Sequence, residues 1–168
     1  RVVWLTGHED LRIRDHGGFA DAFSSSSSSP DDSSIDDVDV VVPVFILDPT
    51  LHLRCKSSSE IARLYNSLSS LESELDIYIN STSSSSSSLV RLSPLVIRSS
   101  GSSSSVSTIL SSLCKEVNAI SCHVIEDDVT RDMRSIQRET CNCLEGMGVK
   151  VRRWTNALRP SAPWASAS

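Results

Sequence analysis

The sequence predicts an α/β fold: a doubly wound, Rossmann-like, five-stranded parallel sheet with helices on both faces. Three observations carry this. The run Val40-Val41-Val42-Pro43-Val44-Phe45-Ile46-Leu47 is apolar and β-branched without period-2 alternation, as in a strand buried on both faces. Short apolar runs alternate with stretches of helical period in the order β-α-β-α-β-α-β-α-β, with crossovers of the length that parallel strands need. Serine, about a fifth of all residues, is concentrated in runs between these elements.

Val2-Val3-Trp4-Leu5 reads as the first strand, ending in the polar turn Thr6-Gly7-His8-Glu9. Asp15 is placed to cap a short helix through Phe19, Ala22 and Phe23. A Ser/Asp-rich loop over 24–37 leads to the central strand, which Asp48-Pro49 stops. Ser57-Ser58-Ser59-Glu60 is a capping box, and Ile61, Leu64, Leu68, Leu71 and Leu75 then predict an amphipathic helix of about five turns. A second serine loop is expected over 81–88, and Pro94–Ile97 as the third strand. Val106, Ile109, Leu110, Leu113 and Val117 form a helical stripe, and Ala119–Ile125 a fourth strand that runs into Glu126-Asp127-Asp128. Met133, Ile136, Thr140, Leu144 and Met147 mark the last helix, stopped by Gly146 and Gly148. Val149–Trp154 alternates like an edge strand. One domain is expected over 1–155, with 156–168 a linker or tail.

Charge and composition narrow the function classes. A net charge of −5 offers no clustered cations for counterion release, so direct nucleic-acid binding by this chain is disfavoured. The serine runs cannot bury apolar area and are expected to be loops. Five cysteines without a C-x-x-C pair point to reduced thiols in an intracellular compartment. No apolar run reaches membrane-spanning length. The chain opens on a strand without an initiator Met, which is expected of an excised domain.

Several motifs in this order resemble the amino-terminal α/β domain of the cryptochrome/photolyase family. Asp10-Leu11-Arg12-Ile13-Arg14-Asp15-His16 is similar to the D-L-R-x-x-D-N segment after the family's first strand. Val41-Val42-Pro43-Val44-Phe45-Ile46-Leu47-Asp48-Pro49 is similar to its V-x-P-V-F-I-L-D-P strand. Ser67-Leu68-Ser69-Ser70-Leu71, Pro94–Ile97, Glu126–Asp128, Arg131-Asp132 and Gly148-Val149-Lys150-Val151 follow the family's remaining pattern. There are departures. Two extra residues lie between Trp4 and Asp10, the family arginine of that turn is replaced by Thr6–Glu9, and Val124 stands where an asparagine is common.

The resemblance implies a longer flavoprotein, plant-like in type, whose separate helical domain binds FAD. No flavin or electron-relay tryptophan is assigned to this chain; Trp4, Trp154 and Trp164 are strand or tail residues. The α/β domain of such proteins often holds an antenna, a folate or a deazaflavin, in the crevice at the strand carboxyl ends. By position Asp10, Arg12, Asp48, Glu126 and Asp127 are the residues that would line it; as turn caps and ion-pair partners they also have a plain structural reading. The partner this implies is the FAD-binding domain, in the same chain or another. The long serine loops suggest residence in the chloroplast.

Other chemistry finds less support. His8, His16, His52 and His123 lack metal-ligand spacing to the cysteines, and Cys141 and Cys143 fall about 200° apart on a helix. No G-x-S-x-G elbow accompanies the serines. The acidic cluster Asp31-Asp32, Asp36-Asp37 and Asp39 reads as a solvated loop. Arg98-Ser99-Ser100-Gly101-Ser102-Ser103 is similar to a phosphate loop but lacks its lysine. Three readings stay open: a photolyase/cryptochrome-type domain in light-dependent repair or signalling, a non-catalytic scaffold that has lost the antenna site, and a nucleotide-binding domain using the Gly101 loop.

Overall fold

In a computed structural model the nine residues Asp39–Leu47 form strand β2, and its interior is buried on both faces. The structure describes residues 1–7, 10–14, 16–24, 39–54, 56–82, 90–101, 104–126 and 131–154. The expected Asp15 cap, the serine loops over 25–37 and 83–88, most of the acidic cluster, Asp127, Asp128, Trp164 and the 156–168 tail lie outside them.

The remaining elements are β1 (Val2–Leu5), α1 (Gly17–Ser24), α2 (Ser58–Thr82), β3 (Val90–Leu92), β4 (Val96–Ser99), α3 (Val106–Glu116), β5 (Ser121–Ile125), α4 (Arg131–Gly146) and β6 (Lys150–Trp154). All strand pairs are parallel, in the order β3-β2-β1-β5-β6, with β4 also on β2. The order reverses between β1 and β5. This is the doubly wound arrangement, whose switch point opens a crevice beyond the carboxyl ends of those strands.

Strand alternation sorts the core into two halves. Val3, Leu5, Val41 and Phe45 face α1 and α2, meeting Phe19, Leu64, Leu68, Leu71 and Leu75. Val2, Trp4, Val44, Ile46, Cys122 and Val124 face α3 and α4, meeting Leu110, Leu113 and Leu144. Cys141 is buried and Cys143 exposed, as their angular separation on a helix requires.

The five sheet positions are as expected, but the third is filled by two strands rather than one. Along one side β2 pairs with β3 through Asp39–Val41 and with β4 through Val44–Leu47. Pro43 lies at the interruption. The Val42 amide donates toward β1, to the Arg1 carbonyl at 2.8 Å, so the next residue's nitrogen faces the β3/β4 side. Proline has no hydrogen to donate there. The opposing chain is broken at the same level by Ser93-Pro94-Leu95. Two prolines that would each cost a ladder bond thus share one gap.

Helix α2 is also longer than expected, 25 residues or about seven turns, and Ser81 belongs to it rather than to a loop. Ile79 continues the Leu71–Leu75 line by four more residues and packs on the same core, while Tyr78 meets the Phe23 ring at 5.7 Å. Its start follows the capping box: the Glu60 amide donates to Ser57 Oγ at 3.3 Å and the Ser57 amide to Glu60 Oε2 at 2.9 Å. Helix α4 ends where Gly148 takes φ +84° and the Val149 amide bonds the Leu144 carbonyl. Strand β6 is an edge, exposing Lys150, Arg152 and Arg153, charges that discourage pairing with another chain.

Candidate functional site

At the carboxyl end of β2 the chain turns sharply through a π-helical turn, Pro49–Leu53, closed by the Arg54 amide on the Pro49 carbonyl at 2.9 Å. Asp48 caps it. Its Oδ1 accepts from the Thr50 amide at 2.8 Å, the Leu51 amide at 3.3 Å and the Thr50 hydroxyl. Its Oδ2 accepts from Ser100 Oγ, at the end of β4, at 2.8 Å. Burial pushes the Asp48 carboxyl up, but the hydrogen bonds from Thr50, Ser100 and the two amides outweigh it and hold the acid below its ordinary value.

His52 ties this turn to the first strand. Its Nδ1 lies 2.9 Å from the Asp48 amide nitrogen and 3.1 Å from the Asp48 carbonyl, and its Nε2 is 3.4 Å from the Thr6 carbonyl. Thr6 itself donates to Asp10 Oδ2, from its hydroxyl at 2.7 Å and its amide at 3.3 Å. Asp10, Thr6, His52, Asp48 and Ser100 thus form one polar chain across the ends of β1, β2 and β4. Three of the five, Thr6, His52 and Ser100, were missed by sequence reasoning. The available signals were a polar residue directly after a strand for Thr6 and Ser100, and an i, i+4 offset from Asp48 for His52.

Among the described residues, the space beside this chain toward α3 and α4 is small. Thr6, Leu51, His52, Met133 and Ile136 leave about 10 Å³, room for one water at most. Of the residues expected to line it, the structure brings Asp10 and Asp48 together through Thr6 and His52. Arg12 is half-buried in the loop after Asp10, its amide bonded to the Asp10 carbonyl at 2.8 Å. Glu126 lines a different cleft, between β5 and α4. Asp127 lies outside the described residues. Among the described residues the polar groups at these strand ends bind one another, while residues 8–9 and 127–130, which follow β1 and β5, lie outside them.

The Gly101 loop is similarly self-contained. The Gly101 amide reaches Ser104 Oγ at 3.5 Å, and Ser105 caps α3 through the Thr108 amide at 3.3 Å. Ser102 and Ser103 are outside the described residues.

On the other face, β5 presents Ser121 and His123 toward α1. Ser121 Oγ is 3.1 Å from His123 Nε2, and Asp21 Oδ2 is 3.1 Å from Nδ1, within ion-pair distance but out of line for a hydrogen bond. The order serine, histidine, carboxylate is that of a hydrolase triad, but Ser121 is buried at the amino end of its strand and the carboxylate is misaligned. The cluster holds α1 to the sheet. Gly18 is the residue that permits it, since a Cβ there would lie 2.9 Å from His16 Cε1 and 3.4 Å from His123 Cβ.

Removing the Asp48 cap has a measurable expected cost. Asp48→Ala loses both turn amides and strands Ser100 Oγ, for about 1–2 kcal/mol of stability. Urea midpoints at constant m-value read this directly, and an unchanged midpoint would show that the turn holds without its cap.

The parallel order, the helices on both faces and the polar chain at the switch point define a Rossmann-like α/β domain of doubly wound type. The DNA photolyase family model matches residues 1–164, and the chain belongs to that family. No curated protein matches it.

Proposed function

We propose that this chain is the amino-terminal α/β module of a photolyase/cryptochrome-type flavoprotein, acting in light-dependent DNA repair or blue-light signalling together with a helical FAD-binding domain. The family match over residues 1–164, on a doubly wound fold, is the observation that carries this reading. FAD would be held by the helical domain, so no residue here is assigned to it. The coding sequence after Ser168 tests the proposal: a helical FAD-binding region supports it, and an unrelated domain overturns it.

Within that reading, the polar groups bonded to one another at the strand ends favour a module that serves as scaffold and docking partner without an antenna. Among the described residues about 10 Å³ is left beside them. Purified chain mixed with a methenyl-folate or a deazaflavin is expected to give no new protein-bound absorption band after gel filtration. A bound near-ultraviolet or blue band would overturn the scaffold reading in favour of an antenna. A plant-like source, from the resemblance of the motifs, and residence in the chloroplast, which the long serine runs fit, belong to the same proposal. A fluorescent fusion of the full-length protein found wholly outside plastids would remove that part alone.

A further inference from the structure

Cys114, Cys122 and Cys141 are buried in the core half that faces α3 and α4. Cys114 stands in the last turn of α3 and Cys122 is the second residue of β5, so only the connection 117–120 separates their elements. That connection folds straight back. The Ala119 amide bonds the Cys114 carbonyl at 2.8 Å, and Asn118 takes φ +48°. A crossover helix runs antiparallel to the strands it joins, so its last turn lies over their amino ends. Cys122 is at that level, in register with Val2 of β1. The two thiols meet there, Cys122 donating to Cys114, whereas Cys141 accepts from Arg153. We propose that Cys114 and Cys122 form a reversible oxidation site, a thiol pair that a small-molecule disulfide such as oxidised glutathione converts to a disulfide stapling α3 to β5.

Cys114 is the attacking thiol. The hydrogen bond from Cys122 holds it below the ordinary thiol value against burial, while the same contact and burial push Cys122 up. Cys114 gives its proton to water and its thiolate opens the glutathione S–S bond. A bond from Cys114 to one glutathione sulfur forms, and the other glutathione leaves as thiolate. Cys122 then gives up its proton and attacks the Cys114 sulfur, which releases the second glutathione. Two protein thiols are thereby oxidised and one disulfide reduced, and the two protons end on the two glutathiones. Access comes through opening of the 117–120 connection, where Val117 and Ile120 are exposed and anchor it weakly.

Treatment of the folded chain with oxidised glutathione, then alkylation and non-reducing peptide mapping, tests the proposal. One crosslinked pair is expected, Cys114 with Cys122, about 2 Da lighter than its two peptides together and separated again by a dithiol. Cys141 is expected to be recovered as a free thiol. In Cys114→Ser the crosslink should be lost, with circular dichroism checking the fold; if that variant unfolds, the map of the unaltered chain decides. Free Cys114 and Cys122 after prolonged treatment overturn the site. So does a crosslink to Cys141 in place of this one, or a Cys114–Cys122 bond that forms only in denaturant.

Discussion

Between pH 6.5 and pH 4 the folded chain is expected to lose about 3 kcal/mol of stability through one residue, His123. The imidazole is 1% exposed, and burial depresses its pKa from 6.5 to about 4. Asp21 pulls the other way, and Arg1 and Arg152 add to the depression. The sign follows from proton counting. In this window the unfolded chain binds a proton that the folded chain refuses, so acid favours unfolding. The contribution is complete above pH 6.5 and is lost progressively down to about pH 4. The depressed Asp48 carboxyl acts in a separate, lower window, stabilising above its ordinary value of 3.8 and ceasing to do so as pH falls through its folded pKa. Denaturant unfolding across this range should show the decline in the wild type and a flatter profile in His123→Met. The comparison is of slopes, so a uniform loss in the variant does not matter. Parallel slopes would show that another group takes up the proton.

Phe45→Ala is expected to cost about 4 kcal/mol, a large part of the 5–15 kcal/mol that holds a typical domain together. The ring is fully buried in the centre of β2, between Leu5 on β1 and Ile97 on β4 in register. Truncation loses its transfer energy and leaves a cavity that two parallel neighbours cannot collapse around. The same ring packs against His52, with centroids 5.1 Å apart, so the effect should reach the site. Amide exchange at Thr50 and Leu51, whose hydrogens are held by Asp48, is expected to accelerate more than exchange in α4. Phe45→Leu should recover most of the stability and protection. A cost under about 1 kcal/mol for the alanine variant would mean that β2 is not the centre of the core.

The polar residues beside the sheet ends rest on the core, where Phe45 packs against His52. The polar chain from Asp10 to Ser100 joins positions 90 residues apart in sequence through short bonds. It fastens the loops that border the switch point.

Most elements were legible in the sequence because their signals are local. The unbroken valine run identified β2, leucines at helical spacing identified α2, and the Ser57–Glu60 box marked where that helix begins. Each depends on residues within a turn or two, and the period of apolar residues says which face is buried. The family motifs were legible for the same reason. The division of the third sheet position was half legible: both prolines were visible, but only the register shows that Pro43 faces the gap at Pro94.

The site was different in kind. Sequence position grouped Glu126 with Asp10 and Asp48 because all three follow strands, yet the structure turns Glu126 into the α4 cleft and gives Asp48 to His52 and Ser100. Which strand ends face one another, and toward which helix, depends on strand order and on the packing of the following helix. Neither is written in a local period. The pairing of Thr6 with His52, the burial of His123 beside Asp21 and the meeting of Arg153 with α4 are all decisions of this second kind. The sequence by itself determined most of the elements, their buried faces and the family motifs. Only the tertiary structure decided which polar groups satisfy one another, because that depends on strand order and helix packing.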